Sequence, residues 1–165
     1  MKNLSFFRYF AYSLLIVVFS VLQGTPNLLP EILGGKPLLL FCFVISIASV
    51  EDKIPSLIFG AVCGVVIDIS SGGTIGFFAI ILTLMCYFES HIFSTYLISG
   101  FLQVMVFALL SIPLIIGIYF LLFTVFAGIP DSGILFVNHY ISRIVYTFVM
   151  TVPVYFVTRF IHNST

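Results

Sequence analysis

Gly60, Gly64 and Asp68 stand four residues apart inside one apolar run, Pro55 to about Ser71, and so share one face of a helix. The glycines offer a small-xxx-small surface that lets a second helix come into close van der Waals contact. Asp68 stands one turn further along the same stripe. An ionisable group inside an apolar span costs free energy, which marks it as a site of function or assembly. The competing reading is a plain helix interface with Asp68 lying near the lipid headgroups. The natural counter-charge is Arg143. At about 1.5 Å of rise per residue, Asp68 lies about 5 Å from the end of its helix and Arg143 about 8 Å into the last one, from the same side. An ion pair Asp68–Arg143 is therefore expected, with snorkelling of Arg143 to the headgroups as the alternative.

Other candidates resolve into structure. Ser70-Ser71-Gly72-Gly73-Thr74-Ile75-Gly76 could be taken for a phosphate-cradling loop, but it lacks the Lys-Ser/Thr ending that such a loop uses. Between two apolar runs, Gly72, Gly73 and Gly76 instead predict a tight hairpin turn. His91, His139 and His162 share no metal-ligand spacing, and Glu89 and Asp131 read as interfacial polar residues. The chain contains no H-E-x-x-H and no G-x-S-x-G. Cys42, Cys63 and Cys86 sit singly in apolar runs, where they are expected to pack as free thiols. No catalytic residue, metal site or cofactor is expected, and the chain is read as a non-enzyme.

The elements that hold these residues are set by composition. Of 165 residues, 61% are hydrophobic and 7% charged, and the mean hydropathy is +1.28. That leaves too little polar surface for a water-soluble globule, so the chain is an all-α integral membrane protein. Six basic residues against six acidic ones give no basic face, and nucleic acid is excluded as a partner. The lipid bilayer is the expected surrounding. Lys2 and Arg8 precede an apolar run without a small-x-small cleavage pattern, which predicts an uncleaved first span rather than a signal peptide.

Runs bounded by charge, Pro or Gly predict about six transmembrane helices in one domain, residues 1–165, at about 9–23, 37–50, 55–71, 75–88, 95–127 and 138–161. The second and fourth are short for a crossing. The fifth, 33 residues from Thr95 to Ala127, is long enough for one helix kinked near Pro113 and Gly117 or for two half-crossings; one kinked helix is favoured because no polar turn interrupts it. With the N-terminus inside, Lys2, Arg8, Lys53 and Arg159 are cytoplasmic and Lys36 external, which satisfies the positive-inside preference and puts both termini in the cytoplasm. The longest loops, 24–36 and 128–137, are too short to form a domain.

The order of a first anchor, Gly35-Lys36-Pro37-Leu38-Leu39-Leu40 opening a second helix, and F-G-x-x-x-G-x-x-x-D-x-x-S-G-G-x-x-G from Phe59 to Gly76 resembles the rod-shape-determining membrane protein family MreD. Ile144-Val145-Tyr146-Thr147 and Val152-Pro153-Val154-Tyr155 resemble the family's last span. The resemblance implies a non-catalytic scaffold of the bacterial cell-elongation machinery in the plasma (inner) membrane. Its implied partners are an MreC-like protein and, through it, the actin-like MreB and the RodA and penicillin-binding-protein synthases of side-wall peptidoglycan. The family's glycines and acid fall here on Gly60, Gly64, Asp68, Gly72, Gly73 and Gly76. The resemblance also implies an architecture similar to the substrate-binding subunits of energy-coupling-factor vitamin transporters. A subunit of that kind is the alternative function, disfavoured by the few polar residues available for a ligand pocket.

Overall fold

A computed structural model describes residues 2–25, 36–71, 76–96, 100–122 and 140–164. They form six helices: α1 (Lys2–Gly24), α2 (Leu39–Val50), α3 (Lys53–Ser71), α4 (Phe77–Tyr96), α5 (Phe101–Phe120) and α6 (Ile141–Ser164). Four of them, α1, α3, α5 and α6, are long and apolar enough to cross a membrane, whereas α2 and α4 carry shorter apolar stretches.

The helices alternate in direction. Arg8 at the start of α1 and His162 at the end of α6 both reach Glu51, the residue after α2. Lys53 at the start of α3 meets His91 near the end of α4. These contacts define one end of the bundle, called here the Glu51 face. At the opposite end, Gln23 of α1 accepts from the Leu40 N–H at 3.4 Å, and Asp68 of α3 meets the start of α4. Ring contacts of Phe101 with Tyr155 and of Phe120 with Tyr140 run α5 antiparallel to α6.

The core is α2 itself. Every residue from Leu39 to Ser49 is buried, because this helix is apolar all round and has the five others packed about it. Twelve residues make only about 18 Å of helix against about 30 Å of hydrocarbon. A helix wrapped by protein has no need to match the bilayer. Its lead-in is not helical: residues 36–38 are irregular and α2 begins at Leu39, two residues later than the run from Pro37 predicts. The buried Leu38 N–H is satisfied at 3.2 Å by the Thr147 hydroxyl of α6. Thr147, Thr151 and Thr158 give their hydroxyl protons to carbonyls one turn back, so these buried donors are satisfied within α6.

The boundaries of the fourth and fifth elements also differ from the sequence reading. Helix α4 continues past Phe88 to Tyr96 and takes in Glu89, Ser90 and His91, because Glu89 and Ser90 are buried among neighbouring helices and do not face a loop. Thr95 and Tyr96 therefore belong to α4. The next helix starts after Gly100, whose backbone is extended and whose N–H is accepted by the Gln103 side chain at 3.1 Å. Helix α5 is continuous from Phe101 to Phe120 through Pro113, so no half-crossings meet there. Residues 123–127 of the expected fifth span lie outside the described residues.

Candidate functional site

Asp68 is buried in the last turn of α3, and its carboxylate reaches across the hairpin to the first turn of α4. Oδ2 accepts from the backbone N–H groups of Gly76 at 3.0 Å and Ala79 at 3.1 Å, and Oδ1 from that of Phe78 at 3.0 Å. The first N–H groups of a helix have no intrahelical partner and carry its positive dipole end, so a carboxylate there satisfies donors and charge together. Gly76 turns the chain into α4 with a φ of +96°, a left-handed conformation that glycine adopts without steric cost. Gly72 and Gly73 lie outside the described residues.

The two glycines upstream bring α4 close enough for this cap to form. A Cβ on Gly64 would stand 2.6 Å from the Phe78 carbonyl oxygen and 2.7 Å from the Ala79 nitrogen. One on Gly60 would stand 2.7 Å from Cys86 Sγ and 3.1 Å from the Leu82 carbonyl oxygen. The glycine stripe and the acid thus act on the same neighbour: one permits backbone contact, the other fastens the helix start.

The ion pair expected between Asp68 and Arg143 is not formed. Three backbone donors within eleven residues of Asp68 occupy its carboxylate. Arg143 stands instead in the electrostatic reach of Tyr119 and Tyr140, with its Nε buried and without a hydrogen bond.

A second polar centre, missed by the sequence reading, closes the Glu51 face. The Glu51 side chain is 3% exposed. Arg8 Nη2 donates to its Oε2 at 3.0 Å, and Arg8 Nε lies 2.8 Å from Oε1 in ion-pair range without the alignment of a hydrogen bond. The Tyr12 hydroxyl donates to Oε1 at 3.1 Å, and His162 Nδ1 stands 3.1 Å from the same oxygen. An ionised carboxylate only accepts, so His162 is the donor. The Glu51 backbone carbonyl takes the hydroxyls of Ser56 at 3.3 Å and Ser90 at 3.4 Å. One residue therefore ties together α1, α2, α3, α4 and α6. Beside it, Lys53 Nζ donates to His91 Nδ1 at 3.0 Å.

The chemistry available at both centres is structural. Each carboxylate is filled by protein donors, and no group of three His, Cys, Asp or Glu among the described residues could hold a metal. Cys42, Cys63 and Cys86 are free and buried; Cys42 donates to the Thr147 carbonyl at 3.2 Å. His139 and Asp131 lie outside the described residues. The only sequence sign of Glu51 was its position directly after an apolar run, where the adjacent Asp52 looks equivalent; Asp52 is exposed and Glu51 is not. A family model described as rod shape-determining protein MreD matches residues 4–162. No curated protein and no solved structure matches the chain.

Proposed function

Because the chain belongs to the MreD family of rod shape-determining proteins, we propose that it is a non-catalytic scaffold in the plasma membrane that positions side-wall peptidoglycan synthesis through an MreC-like partner. The family acts in the MreB/MreC shape system, and the family match over nearly the whole chain carries the reading. The geometry supports it from within. Asp68 and Glu51, two buried acids, are consumed in fastening helices to one another. Meanwhile the outer faces of α1, α3, α5 and α6 expose Phe10, Val17, Ile58, Val65, Leu109 and Val149, surfaces for lipid or for other membrane helices.

The Glu51 face is the cytoplasmic one in this proposal. Lys2, Arg8, Lys53 and Arg159 lie towards that end and Lys36 and Arg143 towards the other, the asymmetry that the positive-inside preference favours. Six antiparallel crossings then leave both termini inside.

The reading is tested by depletion in a rod-shaped host with quantitative microscopy. Rounding or swelling of the cells is the expected outcome. Unchanged cell width together with a new requirement for an external vitamin would replace the scaffold with a transporter subunit.

A further inference from the structure

Among the described residues, Glu89 is the buried acid that neither centre uses. It is 3% exposed, lies in α4 about 18 Å from the first residue of that helix, and neither carboxylate oxygen has a hydrogen-bond partner. It lines a cleft of about 240 Å³ between α4 and α5, together with Met85, Phe88, Phe107, Leu110, Ser111 and Leu114. Ser111 neighbours the carboxylate but spends its hydroxyl proton on the Phe107 carbonyl at 2.6 Å. The rim of the cleft is outward-facing and apolar: Phe88, Leu110 and Leu114 are all more than half exposed.

An acid in this position lacks the donors that Asp68 and Glu51 possess. Helices α4 and α5 contain no Lys or Arg. Elsewhere Arg8 is held by Glu51, Lys53 by His91, and Arg159 by the Tyr155 hydroxyl at 3.0 Å. Leaving a buried carboxylate without a counter-group is costly, and acids at membrane depth pair with protein groups of opposite character. We propose that the α4/α5 cleft is the docking site for a transmembrane helix of another protein, which inserts one basic side chain between Leu110 and Phe88 to meet Glu89. The cleft is sized for a single long side chain, while the exposed leucines on its rim take the body of the incoming helix. The occupant is thus a helix with an isolated Arg or Lys at the depth of Glu89. This rests on the scaffold reading, to which it adds a contact surface and the chemistry of its partner.

The test uses the full chain reconstituted in lipid nanodiscs with fluorescent leucine-alanine transmembrane peptides that carry a single Arg, Asn or Leu at the matching depth. Association is read by energy transfer. The Arg peptide is expected to bind the wild-type chain about tenfold more tightly than the Leu peptide, a difference of about 1.4 kcal/mol. Glu89→Gln should erase that preference, and Leu110→Trp, which fills the cleft and leaves the acid in place, should weaken Arg-peptide binding by a similar factor. Both variants are first checked for wild-type thermal unfolding, and either suffices if the other does not fold. Equal binding of the Arg and Leu peptides overturns the proposal. So does Asn binding as tight as Arg, which would mean that the acid takes a neutral donor. Shape complementation by the wild-type chain is measured separately: a chain that maintains cell width yet does not discriminate the peptides fails here while the scaffold reading stands.

Discussion

Replacing Asp68 separates two accounts of its role, a cap on the next helix and an ion pair with Arg143. In Asp68→Asn the amide oxygen can still serve Gly76 and Ala79, but an NH2 group then faces the Phe78 N–H, which loses its acceptor. A hydrogen bond to a charged acceptor contributes about 1.5–3 kcal/mol, so a loss of about 2 kcal/mol is expected. Asp68→Ala abandons all three donors at a buried helix start. Allowing for relaxation, the cost should be about 4 kcal/mol, a large part of a typical stability of about 5–15 kcal/mol. The assay is unfolding in mixed detergent micelles, followed by maleimide labelling of Cys42, Cys63 and Cys86, each 0% exposed in the folded chain. Arg143→Gln is measured alone and in combination with Asp68→Asn. Because Asp68 is held by backbone donors and makes no ion pair with Arg143, the two effects should add to within about 0.5 kcal/mol. A coupling well above 1 kcal/mol, or an Asp68→Ala chain as stable as the wild type, would refute the cap.

Gly64→Leu should destabilise the chain more than Gly60→Leu, since the first meets only the backbone of α4 at its nearest approaches, whereas the second meets the Cys86 side chain first and the Leu82 carbonyl at 3.1 Å; the same maleimide assay ranks them. Glu51→Gln leaves Arg8 without its counter-charge and should cost about 3 kcal/mol, while Glu51→Gln combined with Arg8→Met should recover part of that loss in the unfolding curve. Single cysteines at positions 53 and 163 in a cysteine-free chain should label from the same side of sealed vesicles; labelling from opposite sides would contradict the shared Glu51 face.

What the sequence conveys well is material that depends on spacing alone. Membrane class and the shared face of Gly60, Gly64 and Asp68 follow from composition and from the 3.6-residue period. The partner of Asp68 was harder to see because matched depth and opposite charge favoured a distant arginine, whereas the donors were backbone groups that no residue type advertises. The clue was present: an acid one turn before a glycine-rich turn and a new helix can cap that helix from behind. Glu51 was hidden for a different reason. Its burial depends on the five-helix enclosure of α2, a tertiary fact, and Glu51-Asp52-Lys53 reads locally as a solvated break. Glu89 was assigned to a helix end because polar residues were allowed to stop a helix. In the structure α4 runs on to Tyr96, and Glu89 stays inside the bundle.

On the proposed function, this protein directs where wall is made and takes no part in the chemistry of making it. The most direct measurement is incorporation of a fluorescent D-amino acid during depletion, scored for both total amount and position along the cell. Total incorporation should stay near that of undepleted cells, with label spread away from the side wall as the cells widen. Loss of total incorporation while its side-wall position is retained would contradict it.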